Sequence, residues 1–100
     1  MHRDIKPENI LYDTKAIDSP IKIIDFGTSR VFDPNSKMNQ KYGTAYYIAP
    51  EVLKRKYDHK CDVWSIGAIT YTMICGYPPF NGNDDFEIMA EVKKARLVFP

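Results

Sequence analysis

One hundred residues, 44% of them hydrophobic and 27% charged, with a net charge of +1, suit one small folded unit. The near-neutral balance gives no electrostatic reason to expect nucleic acid or a membrane surface as a partner, and the apolar content excludes a disordered tail. Two cysteines and two histidines, none at zinc-ligand spacing, argue against a structural metal.

Met1 leads into His2, Arg3 and Asp4 without an apolar run, so no signal peptide is expected. Residues 1–9 mix charge with Pro7 and Asn9 and carry neither a helical nor a strand period; a loop is expected there. Short apolar runs at 10–12 and 21–24, separated by Asp18, Ser19 and Pro20, read as a hairpin. Residues 25–51 hold Gly27, Pro34, Asn35, Gly43 and Pro50 with little periodicity, a long irregular segment of the kind that usually carries function.

A helix is expected at about 61–75, with Asp62 in its first turn, Gly76 at its stop and Pro78 and Pro79 beyond. Apolar side chains on every face place it in the core. Its apolar run is shorter than the roughly 20 residues a bilayer span requires, so no membrane span is expected. Cys61 and Cys75 at its two ends stand roughly 20 Å apart at about 1.5 Å per residue, beyond disulfide reach. Reduced thiols and an intracellular, cytoplasmic setting follow as expectations. A last amphipathic helix is expected at about 84–95, capped by Asp84 or Asp85, with Phe86, Met89 and Val92 as its apolar residues.

Chemistry concentrates in the irregular segments. His2-Arg3-Asp4 is followed by Lys6 and Asn9, and Asp25-Phe26-Gly27 comes directly after the second strand. At about 5% usage each, five specified residues recur by chance about once in three million positions. Transfer of a phosphoryl group needs a hard divalent cation held by oxygen ligands, which the Asn9 amide and the Asp25 carboxylate offer. It also needs a carboxylate at the acceptor hydroxyl, which Asp4 offers, and a positive charge on the moving phosphate, which Lys6 offers. Taken singly, Asp4, Asn9 and Asp25 read as ordinary turn residues.

These two motifs resemble the catalytic loop and metal-binding turn of protein kinases. Gly43-Thr44-Ala45-Tyr46-Tyr47-Ile48-Ala49-Pro50-Glu51, Asp62-Val63-Trp64-Ser65-Ile66-Gly67 and Gly76-Tyr77-Pro78-Pro79-Phe80 extend the resemblance over essentially the whole chain. Lys6 and Gly43-Thr44 are of the serine/threonine kind, and the wording from 35 to 82 is most like calcium-dependent protein kinases of plants and protists. The resemblance implies an α+β fold: part of the mainly helical lower lobe of a kinase domain, with a small hairpin and a long activation segment.

It further implies ATP and Mg²⁺ as cofactors and protein substrates as partners. Asp4 and Lys6 take the catalytic roles, and Asn9 and Asp25 the metal. Thr44 bonds Asp4 and Lys6, Ile48 lines the pocket for the residue after the acceptor, and Glu8 reads a basic substrate side chain. Arg3, Phe26, Gly27, Glu51 and Asp62 support the site, with Asp62 tying down the catalytic-loop backbone and Glu51 awaiting an arginine expected beyond Pro100. The calcium sensor of that subfamily is an EF-hand region, and no D-x-[DN]-x-[DN]-G loop occurs in these residues.

Nothing in these residues spells the glycine-rich loop, the V-A-I-K lysine or its glutamate partner, and a kinase domain needs well over twice this length. The isolated segment is therefore expected to bind nucleotide poorly and to be inactive. A non-catalytic module, docking substrates around Tyr47, Phe80 and Phe86 or competing with a full kinase, is the other reading. Intact Asp4, Asn9 and Asp25 favour the enzyme.

Two departures from the family pattern carry expectations. Thr28 stands after Asp25-Phe26-Gly27 where many relatives have leucine, which by analogy shapes the site toward threonine acceptors. Arg3 in the family often pairs with an activation-segment phosphate, yet no serine or threonine lies between Lys37 and Lys41. Phosphatase treatment of the active protein is thus expected to leave peptide phosphorylation unchanged. Loss of activity, restored together with a phosphate mapped to Ser36, would contradict this.

Overall fold

In the computed structural model, residues 1–29, 31 and 45–100 are described. A single 3-10 turn, Pro7–Asn9, leads into strand β1 (Ile10–Tyr12), which pairs antiparallel with β2 (Ile21–Ile23). Three helices follow: α1 (Pro50–Leu53), α2 (Lys60–Cys75) and α3 (Asp85–Lys94). The fold class is α+β, as expected, with the 3-10 turn replacing part of the loop expected at 1–9. Pro7 starts that turn because its fixed φ suits a first helical position and its missing N–H costs nothing there.

The hairpin register sets Ile10 opposite Ile23 and Tyr12 opposite Ile21. Beyond the ladder, Ile24 N donates to Asn9 O (2.9 Å), so β2 ends one residue earlier than expected while its chain stays tied to the end of the 3-10 turn. Asp13 N bonds Pro20 O at the other end, and Ser19 Oγ accepts Thr14 N within the loop. The strands lie open, with β2 exposed along its length.

Helix α2 ends at Gly76, whose φ of 83° is the left-handed conformation that closes a helix and that a Cβ disfavours. Its all-round burial, expected from sequence, is not found. Cys61, Ser65, Ala68, Ile69 and Tyr71 are buried, whereas Val63, Ile66, Met73 and Ile74 are exposed. Among the described residues, the packed elements cover only one side of this apolar cylinder.

Two buried clusters make the core. Ile48, Ala49, Val52, Tyr57 and Cys61 form the first, and Ala45, Phe80, Ile88 and Val92 the second. Leu53 and Trp64 pack against both, and the Trp64 indole stacks on Phe80 with centroids 5.8 Å apart. Phe80 is 6% exposed, so the docking surface imagined around Tyr47, Phe80 and Phe86 loses its central member to the core.

In α3 the buried stripe is Ile88 and Val92, with Met89 half-buried, and Phe86 is 84% exposed. Phe86 precedes Ile88 by two positions, about 200° around a helix of 3.6 residues per turn, so both cannot face inward. Asp84 caps the helix by accepting Glu87 N (2.8 Å), and the Glu87 carboxylate accepts Asn83 N (2.7 Å) in return. Asp84→Ala is expected to lower the unfolding free energy by about 1 kcal/mol, measured by denaturant titration. An unchanged midpoint would mean the cap contributes nothing.

Candidate active site

The site rests on the start of α2. The Asp62 carboxylate accepts the backbone N–H of His2 at 2.6 Å and of Arg3 at 2.9 Å, joining residues some sixty positions apart in sequence. Arg3 sits at φ 74°, a left-handed conformation that costs a non-glycine residue about 1–2 kcal/mol. Two bonds to a carboxylate, at about 1.5–3 kcal/mol each, outweigh that strain. The turn they hold presents Asp4.

The His2 ring fixes the next link. Asp4 N donates to its Nδ1 (3.1 Å), so the ring is the neutral tautomer that donates from Nε2 to Ile24 O (2.8 Å). Its edge meets the Phe26 ring at 4.8 Å. Asn9 is buried, and its Nδ2 donates to Asp4 O (2.9 Å), so its amide oxygen is the side-chain atom left to accept. Because Asn9 O also accepts Ile24 N, the residue before Asp25 is anchored to the loop of Asp4 at two places.

Asp25 is exposed at φ 60°, a conformation aspartate tolerates better than most residues, and its Oδ1 receives Gly27 N at 3.4 Å. A Cβ at Gly27 would stand 3.3 Å from that oxygen, a tight contact that the Asp25 side chain would have to yield to. Lys6 Nζ lies 3.5 Å from Asp4 Oδ2, each side chain about one-fifth exposed. Asp4, Lys6, Asn9 and Asp25 thus belong to one connected patch of backbone and side-chain contacts.

The remaining expected residues are placed differently. Thr44 lies outside the described residues. Ile48 is 3% exposed and, with Asp4 and Tyr47, lines a void of about 10 Å³, room for a single water and not for a substrate side chain. Glu8 is exposed on the 3-10 turn, near enough to the Tyr47 phenol that it adds to burial in raising the phenol above its ordinary pKa. Glu51 lies in the first turn of α1, half-buried, and its charge is felt at Cys61. Phe26 is exposed apart from its contact with His2.

Sequence reading did not assign a bracing role to four residues that hold this site. Thr28 donates its hydroxyl to His2 O (3.0 Å), and its carbonyl accepts Arg3 Nε, a local bracing task. Ser65 Oγ donates to Tyr47 O at 2.6 Å, pinning the end of the activation segment to α2. Tyr57 and His2 complete the set. Only the H-R-D spelling could have flagged His2; the others bond backbone or a distant side chain and leave no local pattern.

A family model described as protein kinase domain matches residues 1–99. This chain belongs to the protein kinase family. It is 54% identical over 99 residues to calcium-dependent protein kinase 5 of Plasmodium berghei (strain Anka), covering 99% of this chain and 18% of that protein. Calcium-dependent protein kinase 4 of Plasmodium falciparum (isolate 3D7) is 53% identical over 100 residues, covering 99% and 19%. Calcium-dependent protein kinase 3 of Plasmodium yoelii yoelii is 54% identical over 99 residues, covering 98% and 18%. The expected likeness to calcium-dependent kinases of protists is what these matches return, and the chain spans less than a fifth of each relative's length.

Within this kinase segment the two thiols should behave differently. Burial, then the nearby Asp62 and Glu51 carboxylates, push the Cys61 thiol up to about 12. Since the thiolate is the nucleophile, the Cys61 thiol is held in its unreactive form near neutral pH. Cys75, less buried, should therefore be alkylated by iodoacetamide well before Cys61 in the native protein, with both labelled after denaturation. Equal native labelling, read by mass spectrometry, would contradict the packing around Cys61.

Proposed function

We propose that the protein carrying this chain is a serine/threonine protein kinase that transfers the γ-phosphoryl group of ATP to protein hydroxyls, and that these residues supply its catalytic loop and metal-binding turn. The observation that supports the reading is the pair of bonds, Asn9 Nδ2 to Asp4 O and Ile24 N to Asn9 O, that ties Asp4 and Asn9 to each other and to the residue before Asp25. No cluster of three or more His, Cys, Asp or Glu side chains able to hold a metal occurs among the described residues. The donor set is instead one carboxylate and one amide oxygen, hard ligands that fit magnesium when it keeps phosphate oxygens and waters in its remaining positions.

Asp25 and Asn9 would hold the metal, which when bound neutralises charge on the phosphate oxygens. Asp4 orients the acceptor hydroxyl and takes its proton as that oxygen bonds the γ-phosphorus and the bond to ADP breaks. Lys6, already beside Asp4, places its ammonium where negative charge develops on the phosphoryl group. Glu8, exposed on the 3-10 turn, is available to a basic substrate residue. The relatives are named calcium-dependent, and we extend calcium control, exercised from outside these residues, to this kinase. A cytoplasmic location belongs to the same proposal; no helix among the described residues is long and apolar enough to cross a membrane.

The test is phosphate transfer from ATP to serine and threonine peptides by the full-length protein. Asp4→Asn is expected to lower kcat by about 10²-fold or more with an unchanged thermal midpoint, and chelation of magnesium to abolish transfer. Undiminished turnover in Asp4→Asn would remove the assigned base and with it the proposal.

A further inference from the structure

Arg3 is a charged side chain only 7% exposed, and the partners that take it come from separate parts of the chain. Its backbone N–H goes to Asp62, its Nε to the carbonyl of Thr28, and its Nη1 to the Tyr57 hydroxyl at 3.2 Å. Tyr57 is 1% exposed, with its ring inside the cluster formed by Ile48, Ala49, Val52 and Cys61. A phenylalanine would fill that space equally well. The hydroxyl is the part of the side chain that reaches the loop of Asp4.

The geometry points to Tyr57 as a positioning residue, its hydroxyl tying the core beneath the activation segment to Arg3 and so setting the direction of Asp4. Arg3 at φ 74° persists only because its surroundings over-determine it. Taking away one acceptor leaves a buried guanidinium N–H short of its partner, and the adjacent peptide carries that slack to Asp4. Arg3 thus has an internal partner in a chain whose sequence has no serine or threonine between Lys37 and Lys41. The ring stays in place in a phenylalanine, so its packing in the cluster should be left intact.

The inference rests on the kinase reading for its catalytic consequence, and the hydroxyl-deletion variant Tyr57→Phe of the full-length protein tests it with two readouts. Peptide kinetics are expected to show kcat lower by about tenfold, the loss of one hydrogen bond to a charged group, with the peptide KM unchanged. Amide hydrogen exchange is expected to accelerate in residues 2–5 and to stay unchanged in α3. An unchanged kcat in an active enzyme, or unchanged exchange in residues 2–5, would overturn the tether. Lost protection across α3 as well would assign the hydroxyl to folding in general and also overturn it. If the unmodified protein transfers no phosphate, the function proposed above fails, while the exchange measurement still decides the tether.

Discussion

The Asp62 carboxylate at the start of α2 holds two backbone N–H groups of a segment nearly sixty residues away, and the rest of the site hangs from that contact. Without it, Arg3 has little reason to remain in a left-handed turn, and Asp4 loses its fixed direction. The helix gives the carboxylate a rigid base: sixteen residues, closed by Gly76 and locked from one side by two clusters that share Trp64. Negative charge in the first turn also suits the positive end of that helix.

From this anchor the site assembles by short polar links rather than by apolar packing. His2 passes the position of the loop to Ile24, Asn9 passes it to Asp4, and the bond from Ile24 N to Asn9 O fixes the residue before Asp25. The links made by His2 and Asn9 are a backbone group meeting a side chain, so the geometry depends on residue type at single positions: an imidazole accepting at Nδ1, an amide donating at Nδ2. Function thus sits on irregular backbone whose shape is imposed by neighbouring elements.

Much of this was legible from sequence where chemistry and local rules coincide. The H-R-D and D-F-G spellings located the loops, Gly76 and Asp84 located the helix ends, and alternating apolar runs located the hairpin. What escaped were relations set by three dimensions. Periodicity could not say which faces of α2 would be covered, because every face is apolar and only the packed neighbours choose. Phe86 read as core from its hydrophobicity, yet the α3 stripe runs through Ile88 and Val92. Tyr57 has no motif, and the place of Thr28 after Asp25-Phe26-Gly27 says nothing of its bonds; their roles come from which atoms the fold brings to Arg3.

The central claim is that one carboxylate fixes the loop of Asp4, and the backbone amide protons of His2 and Arg3 report on it directly. In the NMR spectrum both are expected far downfield, as charge-assisted donors, and in Asp62→Asn both should shift upfield together while Ile88 and Val92 in α3 keep their positions. Amide signals of His2 and Arg3 that are indifferent to the loss of the charge would show that the loop is held by something else.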